Sequence, residues 1–61
     1  MKRSEMEKLL KKHGFRVKRE GKEHTIWWNI ETQKEVQIPR SKKEIKTGTA
    51  AKILKDAGIK L

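Results

Sequence analysis

The chain has 61 residues, 17 of them Lys or Arg against eight Asp or Glu, which gives a formal charge of +9, and it contains no cysteine. That length holds one small domain, residues 1–61, and the composition excludes a disulfide staple or a thiolate zinc site. The cationic excess opposes compaction by self-repulsion and suits a polyanionic partner, either nucleic acid or an acidic protein.

From the N-terminus, Ser4 and Glu7 have the spacing of a capping box, and Met6, Leu9 and Leu10 form an apolar stripe at helical spacing. Gly14 is a left-handed stop, so the first helix is expected over Glu5 to His13, with His13 at the negative end of the helix dipole. Phe15, Arg16, Val17 and Lys18 alternate as a half-buried strand, and Gly21 and Lys22 make a turn. The run HTIWWNI, residues 24–30, is rich in β-branched and aromatic side chains and predicts a second strand. A polar loop, ETQK, leads to a third strand, EVQI, ended by Pro39. Arg40 to Thr47 is a basic loop, after which Thr47 or Thr49 caps a helix carrying Ala50, Ile53, Leu54 and Ala57, closed by Gly58.

The order α-β-β-β-α predicts an α+β fold with two helices on one face of a three-stranded antiparallel sheet. Trp27 and Trp28 are adjacent in a strand and must point to opposite faces. Ile26, Trp28 and Ile30 share a parity. Trp28 is therefore expected inside and Trp27 on the open face, available for base stacking or a partner interface. The same parity leans His24 toward the helices.

The sequence carries no phosphate-binding Gly-rich motif and no His/Cys set at metal-ligand spacing, and its acids are scattered among lysines. No metal or cofactor is expected. The absence of any signal-peptide core or apolar span leads to the expectation of a cytoplasmic protein. His24 is the residue that stands out, because it follows Gly21, Lys22 and Glu23 at a strand start with Lys18 and Arg19 nearby. Metal-free RNA cleavage needs a base for the 2′-hydroxyl proton and cations for the developing phosphorane charge, and imidazole titrates closest to neutral pH. A structural or binding histidine is the competing reading, and for His13 a helix-capping role is preferred. A second cationic segment combines Arg40, Lys42, Lys43 and Lys46 with the hydroxyls of Thr47 and Thr49 at a helix start, an arrangement suited to phosphates.

The segments SEMEKLLKKHGF, GKEH, IPR and EIKTGTAAKILKDAGI follow one another almost end to end. In that order and spacing the chain resembles the HicA toxins of type II toxin–antitoxin pairs. The resemblance implies a double-stranded-RNA-binding-domain-like fold and an mRNA interferase that cleaves RNA through one histidine, which falls on His24. It also implies a HicB antitoxin as partner, covering the active site, with any higher assembly made through that antitoxin. Two positions depart from many relatives: Glu23 precedes the histidine where Ser or Asp is common, and Ser41 follows Pro-Arg where His is common. The alternatives are a binding module of double-stranded-RNA type without catalysis, or an inactive relative retained for its partner interface.

Overall fold

The computed structural model describes residues 1–60, with elements in the order α1 (Arg3–Lys12), β1 (Arg16–Glu20), β2 (His24–Asn29), β3 (Lys34–Pro39) and α2 (Thr47–Ala57). The strands form one antiparallel sheet in the order β1-β2-β3. One cluster buries Met6 and Leu10 of α1, Trp27, Val36 and Ile38 of the sheet, and Ala50, Ile53 and Ala57 of α2. This is the α+β architecture expected from the element order.

The helix ends show how local sequence sets the frame. Gly14 adopts φ +87, which lets the Phe15 N–H reach the Leu10 carbonyl at 2.8 Å and the Gly14 N–H reach Lys11 at 3.1 Å. Gly58, at φ +74, repeats the arrangement, with the Ile59 N–H on the Leu54 carbonyl at 2.9 Å. Both glycines turn the chain so that the next residue, Phe15 or Ile59, enters the core.

The N-terminal caps differ from expectation. Helix α1 starts at Arg3, with Lys2 as its cap, and Glu5 rather than Glu7 accepts the Lys2 N–H, at 3.4 Å. The cause lies outside the helix: Lys2 bridges to Glu44, and the Arg3 N–H bonds the Lys43 carbonyl at 2.8 Å, so tertiary pairing fixes the start and leaves Ser4 inside the first turn. Likewise neither Thr47 nor Thr49 caps α2. Lys46 holds that position without a side-chain hydrogen bond. Within the supposed basic loop, Ile45 is only 3% exposed and plugs the core, which anchors the approach to α2.

The sheet corrects the assignment of the two tryptophans. Trp27 is 2% exposed and belongs to the core, while Trp28 is half-buried on the opposite face. β2 ends at Asn29, so Ile30, which set the wrong parity, lies in the turn and is 68% exposed. Trp27 pairs with Val36 and Thr25 with Ile38, placing all four on the buried side. Trp27 is therefore not an exposed interface residue, and His24 shares its strand parity with Ile26 and Trp28, opposite the buried Thr25 and Trp27.

β1 is less buried than its alternation suggests. Every residue from Arg16 to Glu20 is exposed, and Val17 keeps 45% of its surface. A bulge lies between Val17 and Arg19, so Arg16 pairs with Trp28 and Arg19 with Ile26, both on the open face. That extra residue brings Arg16 and Arg19 to one side of the sheet, and the bulge and charges also guard an edge strand against adventitious pairing.

Candidate functional site

His24 opens β2 opposite Pro39, the last residue of β3. The turn before it is tight: the Gly21 N–H bonds the His24 carbonyl at 2.8 Å, and a Cβ on Gly21 would lie 3.1 Å from that same oxygen. A side chain there would push the His24 backbone, which gives glycine at this position a local reason. Just past the end of β3, the Arg40 N–H bonds the Glu23 carbonyl at 2.8 Å, and Arg40 Nη1 donates to the Gly21 carbonyl at 2.6 Å.

The imidazole is exposed, and its ring has no hydrogen-bond partner among the described residues. Three open concavities meet at it. The largest, about 540 Å³, runs between the sheet and α2, with Gln37 and Pro39 on one wall and Thr49, Lys52 and Asp56 on the other. A second, about 470 Å³, is bounded by Glu23, Ser41, Lys42, Lys46 and Thr49. The third, about 380 Å³, lies toward β1 and includes Arg19, Lys22 and Gln37.

Of the residues expected to bind phosphates, Arg19, Lys22, Lys42, Lys46 and Thr49 line these hollows together with His24. Lys18 lies farther along the same face. Its Nζ is 3.3 Å from Glu35 and sits 5.0 Å from the centroid of the Trp28 ring, so its charge is already engaged. Arg40, Lys43 and Thr47 line none of the three hollows. Arg40 turns its guanidinium onto a main-chain carbonyl, and the Lys43 carbonyl accepts from Arg3. His13 is remote in role as well as sequence: its Nδ1 is 3.0 Å from the Leu9 carbonyl, a bond internal to the end of α1.

Two wall residues escaped the sequence reading. Lys52 and Asp56 follow Thr49 by three and seven positions, so all three share one face of α2, beside the buried stripe of Ala50, Ile53 and Ala57. The i, i+3, i+7 spacing of Thr49, Lys52 and Asp56 is the signal in the sequence that marks this polar face. Trp28 was passed over because the parity placed it inside.

The surroundings are mixed in charge. Arg19, Lys22, Lys42, Lys46 and Lys52 face the hollows around His24, but Glu23, Glu35, Glu44 and Asp56 share those walls. Among the described residues, no three of His, Cys, Asp or Glu are grouped to hold a metal ion. No helix among them is long and apolar enough to cross a membrane.

Comparison with known proteins adds one finding: a family model described as "HicA toxin of bacterial toxin-antitoxin" matches residues 3–59 of the 61-residue chain. No curated protein and no solved structure matches it significantly.

Proposed function

The chain belongs to the HicA toxin family of toxin–antitoxin systems, and on that premise we propose that it is a metal-independent endoribonuclease with His24 as its catalytic group. The observation that carries the reading is the position of His24. It is the histidine exposed where three clefts meet, each lined by at least one cationic side chain.

In this mechanism His24 removes the proton of a ribose 2′-hydroxyl, and the 2′-oxygen attacks the adjacent phosphorus. The bond from phosphorus to the 5′-oxygen breaks. That oxygen takes a proton from water or a neighbouring lysine, leaving a 2′,3′-cyclic phosphate and a 5′-hydroxyl. Lys22, Lys46 and Lys52 hold the strand's phosphates and offset the charge that grows on the phosphorane oxygens. Thr49, in the first turn of α2, presents a hydroxyl between the two larger clefts.

The family also implies an antitoxin partner. A HicB-type protein laid over the open face of the sheet would cover His24, Ile26 and the half-buried Trp28. An acidic surface on that partner would relieve the repulsion of a chain carrying +9 and stabilise it by binding only the folded form.

The test is cleavage of a defined RNA by the purified chain in EDTA, with analysis of the product ends. Cyclic phosphate termini formed without metal support the mechanism. Activity abolished by EDTA and restored by magnesium, or 5′-phosphate ends from an activated water, would contradict it.

A further inference from the structure

The basic run after Pro39 suggests that Arg40 grips RNA, but its hydrogen bonds assign it another task. We propose that Arg40 is the positioning residue of the site, clamping the Gly21–Glu23 turn and thereby fixing His24. The proposal rests on the reading of His24 as the catalytic group.

The imidazole's lack of a partner among the described residues makes this matter. A general base is ordinarily oriented by a hydrogen bond to its second ring nitrogen. Here the backbone that carries the ring is what the fold holds, at three points. The Gly21 N–H bonds the His24 carbonyl, the Arg40 N–H bonds the Glu23 carbonyl, and Arg40 Nη1 bonds the Gly21 carbonyl at 2.6 Å. His24 pairs with Pro39, so the Arg40–Glu23 bond adds one rung to the ladder beyond the strand's end. The guanidinium then reaches past that rung to Gly21.

Arg40 is itself held in place, because the guanidinium of Arg3 at the start of α1 donates to the Arg40 carbonyl. The chain of contacts thus runs from α1 through Arg40 to the turn and on to His24. A donor on a charged, planar group gives a short and directional bond to a neutral carbonyl. Lysine keeps the charge but not that geometry. The clamp also accounts for the absence of Arg40 from all three hollows around His24, which a phosphate-gripping residue should line.

The experiment compares Arg40→Lys and Arg40→Ala with Lys42→Ala in the full chain. Amide hydrogen exchange at Gly21, whose N–H bonds the His24 carbonyl, is expected to quicken at least tenfold in both Arg40 variants, with core amides such as Leu10 and Ile53 unchanged. For cleavage, kcat should fall by roughly 10²-fold, the scale of a misplaced catalytic group. KM and the salt dependence of RNA binding should stay as in the wild type. Lys42→Ala should instead weaken binding and lower the salt slope by about 1 while sparing kcat.

If Arg40→Lys behaves as wild type, or if both variants raise KM and lower the salt slope with kcat retained, Arg40 is a phosphate contact and the proposal fails. Unchanged exchange at Gly21 would also overturn it. A wild-type chain that cleaves no RNA would remove the catalytic reading alone, and the exchange measurement would still decide whether the clamp exists. If Arg40→Ala does not fold, Arg40→Lys carries the same comparison.

Discussion

Replacing Asn29 by Ala should destabilise this protein far more than its place at a strand end suggests. Asn29 is a buried polar residue with three hydrogen bonds: Nδ2 to the His13 carbonyl at 2.9 Å, and Oδ1 from the Glu31 and Thr32 N–H groups at 2.9 and 3.2 Å. One side chain therefore ties the end of α1 to the β2–β3 turn. At about 1 kcal/mol net for each bond, the loss is roughly 3 kcal/mol, and it grows if the His13 carbonyl stays buried without a partner. For a domain of this size the same loss lowers Tm by roughly 12–24 °C. A single small core supplies only about 3–5 kcal/mol in all, so the variant should keep only about 0–2 kcal/mol. Urea titration followed by tryptophan fluorescence measures the cost, with Glu31→Ala, which leaves the main-chain bond in place, as the control expected within about 0.5 kcal/mol. If Asn29→Ala costs less than about 1 kcal/mol with an unchanged m-value, the three bonds do not close the turn as described.

The two tryptophans should separate in the same assay. Trp27→Ala, which empties the core, should cost about 3–5 kcal/mol, and Trp28→Ala less than half of that; similar costs would contradict the assignment of faces. Fluorescence of the Trp28→Phe variant should report a buried indole poorly quenched by iodide, whereas ready quenching would place Trp27 at the surface. Lys52→Ala and Lys46→Ala should each weaken RNA binding across sequences and lower the salt slope by about 1, leaving Tm within a few degrees. Binding and slope unchanged in both would remove α2 from the RNA path.

The element order and the helix stops were legible because they rest on local chemistry. Gly14 and Gly58 adopt the left-handed conformation that ends both helices. The start of α1 was not legible, because Lys2 is held by its bridge to Glu44 in a distant loop, a contact that no local motif announces. The tryptophan faces were misread for a related reason. Asn29 looks like an outward polar residue, yet its side chain is consumed by three internal bonds, and Ile30 looks like core but sits in the turn. At the candidate site, His24 stood out from its neighbours in sequence, and the fold brings Lys42, Lys46 and Thr49 to its side. Lys52 and the clamp by Arg40 were hidden, since each depends on where α2 or the end of β3 lies relative to one turn.

The role of His24 is decided by comparing the wild type with His24→Ala in RNA cleavage and RNA binding under metal-free conditions. The substitution should lower the cleavage rate by roughly 10²–10⁴-fold, with binding affinity and Tm nearly unchanged. Cleavage by the purified variant at the wild-type rate would contradict it.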